Sequence, residues 1–197
     1  MDEDPFVSDD DEPTPGSVRG KLLLAGPLLL DPNFFRAVVL VLDHDQQGAF
    51  GLVVNRRSEI PLVNVLERWA PFARPDPYVY LGGPVAPEAG FALARAASTE
   101  VAGVSSLRDG WAVVDLEADP AVVGPELTQL RIFSGYAGWG PGQLDAELMA
   151  EGGWIVVDAQ AGDPFAVDTD DLWSAVLRRQ RGPLARLANY PFEPRLN

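Results

Sequence analysis

The stretch RAVVLVLDHDQQGAFGLVVN, residues 36–55, constrains the fold more than any other part of the chain. It contains two apolar, β-branched runs, residues 37–42 and 49–54, separated by the polar segment DHDQQG. Runs of this length and composition are strands, and a polar break ending in a glycine able to take positive φ is a hairpin connection, here a longish loop. A strand with one wet face alternates apolar and polar residues. These two are apolar at nearly every position, so both faces of the hairpin must be covered. With 197 residues and 47% hydrophobic content, the chain can supply the covering layers within one domain.

Further elements follow from pattern. KLLLAG is a strand, and LLLDPNFF is its exit, with a turn at Asp31-Pro32-Asn33. PLVNVLERWA places Leu62, Val65, Leu66 and Trp69 at helical spacing, which predicts a helix opened by Pro61 and ended by Pro71. Tyr78–Leu81 is a strand stopped by Gly82-Gly83-Pro84. GFALAR, WAVVDL, QLRIFS and GWIVVDAQ are four more. Asp119 before Pro120 predicts an N-cap and a short helix through Val123. In DTDDLWSAVLRRQRG, Thr169 is the expected N-cap and Asp170 and Asp171 lie in the positive first turn. Leu172, Ala175, Val176 and Arg179 share one face, and Arg178, Arg179 and Arg181 crowd the negative end before Gly182-Pro183. Asp168, Asp170 and Asp171 lack the glycine and terminal glutamate of a calcium loop, so they are read as helix-capping acids. Hairpins without strict βαβ alternation point to an α+β fold with a mixed, largely antiparallel sheet or barrel.

Charge and composition exclude several functions. Residues 1–17 hold seven acids and no base, and too little apolar surface to offset ordering entropy. They are expected to be a disordered acidic tail on a single domain of residues 18–197. The tail serves either solubility or docking through Phe6 and Val7. The net charge is −14, and the domain itself stays acidic, so direct nucleic-acid binding is not expected. With no cysteine and one histidine, the expectation is no disulfide, no thiol chemistry, no metal site and no cofactor. The longest apolar run, residues 22–30, is short and broken by Gly26-Pro27. It cannot span a membrane, and the acidic residues before it do not suit a signal peptide. A cytoplasmic location is expected.

The segment SGYAGWGPGQLDAEL, residues 134–148, reads as a glycine-rich connection from a strand into a helix. Such connections can bind phosphate. Here the glycines are spaced G-x-x-G-x-G-x-G, the loop ends in Gly142-Gln143 instead of Lys-Ser/Thr, and Asp145 and Glu147 already sit at the helix entrance. Two other roles remain for Tyr136 and Trp139: closing an end of the core, or lining a hollow for a ligand or peptide.

GYAGWGPGQLDAEL resembles the signature of the YqgE/AlgH family. GKLLLAGPLLLDPNFFRAVVLVLDHDQQGAFGLVVNR, LGGPV followed by GFAL, and DLWSAVLRR resemble its other blocks in the family's order. The resemblance runs from about Arg19 to Arg179. It implies a compact α+β domain with a β-barrel-like sheet flanked by helices, and no established enzymatic activity. A regulatory label on some members implies a transcriptional role, which an acidic chain without a basic recognition helix does not favour. Carried over by position, the family motifs give a candidate ligand- or partner-binding surface. Asp31, Asn33, Phe34 and Arg36 come from the first block, and His44, Gly48, Gly51 and Asn55 from the hairpin. Gly82, Gly83 and Pro84 come from the centre. Gly135, Tyr136, Gly138, Trp139, Gly140, Gln143 and Glu147 come from the glycine segment. Many members carry a histidine where this chain has Ala94.

His44, between Asp43 and Asp45, is either an acid–base group or a solvated turn residue. Asp31 with Arg36 is either a structural ion pair or a ligand clamp. Asn55 either bonds backbone or presents its amide. Asp145 and Glu147 are two apart on a helix and face different ways. Two functions stay open. One is a non-enzymatic binding or regulatory protein using a glycine–aromatic cleft on an unknown small molecule or protein partner. The other is a hydrolase or transferase with Asp31, Arg36, His44 and Asn55 in one pocket. The first is the reading adopted.

Overall fold

The computed structural model describes residues 16–29, 31–98 and 100–190. The expected disordered tail falls almost wholly outside them. Among the described residues, ten strands carry the fold. They are β1 (Lys21–Ala25), β2 (Val38–Asp45), β3 (Gly48–Val53), β4 (Arg57–Pro61) and β5 (Tyr78–Leu81), then β6 (Val85–Ala96), β7 (Val104–Ser106), β8 (Ala112–Val114), β9 (Leu127–Trp139) and β10 (Trp154–Asp158). Among the same residues four short α-helices join them: α1 (Pro120–Val123), α2 (Gln143–Met149), α3 (Leu172–Arg178) and α4 (Pro183–Leu187). The main strand order is β10-β1-β2-β3-β9-β6-β8-β7, all antiparallel. It makes a curled half-barrel, an α+β fold as expected.

Strand β9 belongs to two sheets. Its Ile132–Ser134 stretch pairs in parallel with β5, which carries β4 on its far side. Its end, Ala137–Trp139, pairs antiparallel with β3. Strand β6 runs along its other side. The handover occurs at Gly135, which has φ +68. A side chain there would sit 2.6 Å from the Gly83 carbonyl oxygen, so the β5–β6 connection can cross β9 only because glycine faces glycine.

Both faces of the β2–β3 hairpin are covered, as its composition demands. Leu22, Leu24, Val38, Leu40, Leu52 and Phe133 pack against Trp173, Val176 and Leu177 of α3. On the opposite face, Leu23, Val39, Val41, Val53, Ala137 and Trp139 pack with Leu144 of α2 and Trp154. Burying each such side chain contributes roughly 1.5–3 kcal/mol, so the sheet is held from both sides. A third cluster, including Leu62, Trp69, Ala92, Leu130 and Ile132, covers the outer face of the β5–β9–β6 sheet.

Four local expectations are corrected. First, residues 62–69 do not form an α-helix. They make a 3-10 turn at Leu62–Asn64 and looser turns up to a second 3-10 turn at Ala70–Phe72. Leu62 and Trp69 are buried, but Val65 is 58% exposed. Two β-branched valines between flanking prolines give too little propensity, and bonds from the Leu66 amide to the Leu62 carbonyl and from the Ala70 amide to the Leu66 carbonyl close only separate turns. Second, the glycine segment is strand through Trp139, and only Gly140-Pro141-Gly142 connects to α2. Partner strands on both sides outweigh the turn preference of its glycines. Third, the β2–β3 connection is only Gln46-Gln47, because His44 and Asp45 pair with Ala49 and Gly48. Fourth, Asp171 and not Thr169 precedes α3. Arg179 there turns inward to a bidentate pair with the buried Asp163 (2.6 Å), while Arg178 reaches Asp171. The arginine cluster is therefore more than a complement to the helix dipole.

Arg131 is 1% exposed. It lies over the Tyr80 ring at 3.9 Å and donates to the carbonyls of Val54, Pro164 and Ala166, tying the loop before α3 to the sheet. Burial holds its pKa below the usual arginine value. The Tyr80 hydroxyl donates to Asp76, and desolvation pushes its pKa up to about 12. Among the described residues no helix is long and apolar enough to cross a membrane.

Candidate functional site

Where the β2–β3 turn meets the end of β9, the surface sinks into a hollow of about 490 Å³. The Tyr136 and Phe50 rings wall it, 4.7 Å apart. Gly138 and Gly140 give it an open backbone floor, and Asp43 and Asp45 stand at its edge. Gly138 follows Tyr136 on the same strand face, and a side chain there would lie 2.8 Å from Tyr136 Cε2. Glycine at 138 thus lets the tyrosine ring lie along the strand.

The two rings of the glycine segment point to opposite faces. Three residues apart in a strand, they must. Tyr136 is half-buried and packs on Phe50 and Phe91. The Trp139 ring is 6% exposed and sits on the α2 side with Phe34 and Trp154. The Trp139 and Trp154 indoles both donate to Glu147 Oε2 at 2.9 Å, and Gln143 Nε2 donates to its other oxygen. Gln143 Oε1 accepts from the Gly140 amide. Phe34, Trp139, Gln143 and Glu147 thus form a staple holding α2 on the sheet.

His44 lies on that same side and is 6% exposed. Its Nδ1 accepts from the Val18 amide at 3.1 Å, and its Nε2 lies 3.6 Å from Asp145. A ring nitrogen that accepts an amide carries no proton, which places the imidazole proton on Nε2, facing Asp145. His44 is thus a buried strand residue, not a solvated turn residue.

The remaining polar candidates gather at the other end of β2. Asn55 Oδ1 accepts from the Val38 amide, and its Nδ2 donates to the Arg36 carbonyl. Asp31 accepts from the Asn33 amide and closes its own turn. The Arg36 guanidinium reaches the Tyr190 carbonyl and lies 4.7 Å from the Trp173 ring, and desolvation lowers its pKa. Val38 and His44 are six residues apart along one strand, roughly 20 Å at about 3.3 Å per residue. The structure therefore does not bring His44 to Asp31, Arg36 and Asn55.

It does bring together Gly82, Gly83, Pro84, Gly135 and Tyr136. Gly82 and Gly83 pack on the backbone at Gly135 and Tyr136, and Val85, next in the chain, pairs with Tyr136 and lines the hollow. Gly48 lines it and Gly51 pairs with Ala137 just behind. The lining residues that sequence reasoning missed are Asp43, Asp45, Gln47, Ala49, Phe50 and Val85. Strand parity through Phe50 would have found one of them, had the hairpin turn been read as two residues.

Comparison with known proteins gives a consistent answer. A family model described as AlgH-like matches residues 22–185. A UPF0301 protein of Streptomyces coelicolor is 48% identical over 186 residues, covering 92% of this chain and 96% of the relative. One of Thermobifida fusca is 41% identical over 191 residues, with the same coverage of each chain. Among solved structures, protein DIP2367 from Corynebacterium diphtheriae superposes with a TM-score of 0.82 at 30% identity, covering 91% of this chain and 95% of that one. The solution structure of the AlgH protein from Pseudomonas aeruginosa gives a TM-score of 0.68 at 30% identity, covering 93% and 100%. A curled antiparallel sheet ending in the GYAGWGPGQLDAEL strand and helix, with relatives matched along nearly their whole length, makes this chain a member of the YqgE/AlgH family.

Proposed function

We propose that this chain acts by binding, not by turnover, and that the hollow beside Tyr136 receives a small molecule or a side chain of a partner protein, in the cytoplasm. One observation carries the reading. Two aromatic rings, an open glycine backbone and two carboxylates converge on one recess, while the histidine that acid–base chemistry would need is buried on the opposite face of the sheet. Aromatic walls suit a flat or apolar body, and Asp43 and Asp45 suit hydrogen-bond donors or a positive charge at its edge. Trp139 also lines the recess, while its ring packs with Phe34 and Trp154 and supports it from behind.

The test is a titration of isotopically labelled protein with small aromatic amines such as tyramine and benzylamine. The expected result is amide shifts concentrated at Gly48, Gly138 and Gly140, and their loss in a Tyr136→Ala variant that melts like the parent. Shifts that persist without the Tyr136 ring would overturn the assignment. So would a turnover assay whose activity disappears with His44→Ala.

A further inference from the structure

A second, larger recess of about 930 Å³ lies on the other sheet, alongside β6 from Pro87 to Phe91. Its floor is apolar and includes Val79, Ala92 and Ile132. Two of its lining side chains, Ile60 and Val65, are 47% and 58% exposed, a contiguous apolar surface of the kind that marks a partner site. The segment that sequence periodicity predicts as a helix supplies Val65 and Leu66. Because it forms open turns, those side chains edge the groove instead of sealing it.

Charge and backbone select the occupant. Glu88, Asp115 and Glu117 stand on the lining, and no lysine or arginine does. Among the described residues none of the three groove acids is in an ion pair. The chain's own first residues are acidic, as is any second copy at net charge −14, so neither fits this rim. The main chain points the same way. Strand β8 pairs only with Ala92–Ala94 of β6, so among the described residues the 87–91 stretch has no strand neighbour on that side. Backbone left open beside an apolar floor suits an extended peptide.

We propose that this groove docks a short cationic, amphipathic segment of a partner protein. Two or three of its apolar side chains fill the floor, and its lysines or arginines meet Glu88, Asp115 and Glu117. The site is separate from the hollow. The Phe91 ring packs on Tyr136, 5.5 Å away, on the hollow's face of the sheet, and the groove floor of Val79, Ala92 and Ile132 is the other face.

The probe is a fluorescent peptide, acetyl-KLVKLVK-amide, with EVLEVLE and KGGKGGK as controls, read by anisotropy on the full chain at two salt concentrations. The first peptide is expected to bind, more weakly at high salt, and both controls to bind at least tenfold more weakly. Glu88→Gln with Glu117→Gln is expected to weaken binding at least fivefold and to reduce the salt dependence. Ile60→Ser with Val65→Ser is expected to weaken it by a similar factor, and all variants to melt within about two degrees of the parent, since surface changes of this kind are small. Equal binding of KGGKGGK, or affinity unchanged in both double variants, would overturn the proposal. Loss of binding in Tyr136→Ala would overturn it as well, by moving the peptide to the hollow.

Discussion

Replacing Glu147 by alanine tests how α2 is held on the sheet. One carboxylate accepts from the indoles of Trp139 and Trp154 and from Gln143 Nε2, at 2.9, 2.9 and 3.0 Å. The two indoles are 6% and 8% exposed, so water cannot readily replace the lost acceptor. A buried donor left unsatisfied costs about 1–3 kcal/mol. Two such donors give about 4 kcal/mol, and the exposed Gln143 bond adds little. For a domain of this size each kcal/mol shifts Tm by about 2–4 °C, so the expected loss is roughly 8–16 °C. Glu147→Gln keeps one acceptor oxygen but turns an amide donor toward its neighbours, and it is expected to lose roughly half as much. Thermal unfolding followed by circular dichroism measures both. Near-ultraviolet signal from the two tryptophans reports the local change. A Glu147→Ala protein melting within about two degrees of the parent would show that the staple is not coupled to stability, and the account of α2 would be wrong.

Other measurements bear on different parts of the fold. The Tyr80 hydroxyl has its pKa raised to about 12 in the folded state against 10.0 for an ordinary tyrosine. The unfolded chain therefore loses that proton first as pH rises. Its contribution to stability is full below about pH 10 and falls between about 10 and 12. Urea unfolding across that window should show the decline, and Tyr80→Phe should flatten it. Gly83→Ala would drive a methyl group into the Tyr136 backbone at φ +155. It is expected to cost at least about 3 kcal/mol through overpacking and strain together, visible as a lowered urea midpoint. Gly142→Ala, with φ +68 but nothing within 4 Å of the added methyl, should cost only about 1–2 kcal/mol.

The sheet was legible in the sequence where a residue's own neighbours decided its state. The two apolar runs of the hairpin, β10 and the Asp119-capped α1 all appear where their patterns place them, and the Asp119 side chain accepts from the Ala121 amide as a cap should. Legibility failed where distant partners decided. Glycines 135 and 138 read as a loop, yet β3 and β6 pair with that segment from both sides and hold it extended. Leu62 to Trp69 has helical spacing, but the chain enters it from the β4–β5 hairpin and forms only separate turns. His44 looked solvated between two aspartates, and alternation in a strand turned it inward while they stayed partly or fully exposed. Both recesses join residues far apart in the chain, so no local pattern announces them.

The double membership of β9 sets a rule for taking this protein apart. A cut between β6 and β9 separates β9 from β3, β5 and β6 at once, and it separates β10 from β1 as well. Split-protein pairs cut at either recess should therefore assemble only as complementary halves. Hydrogen exchange should be slowest along 130–139, the last stretch to yield as either half comes undone.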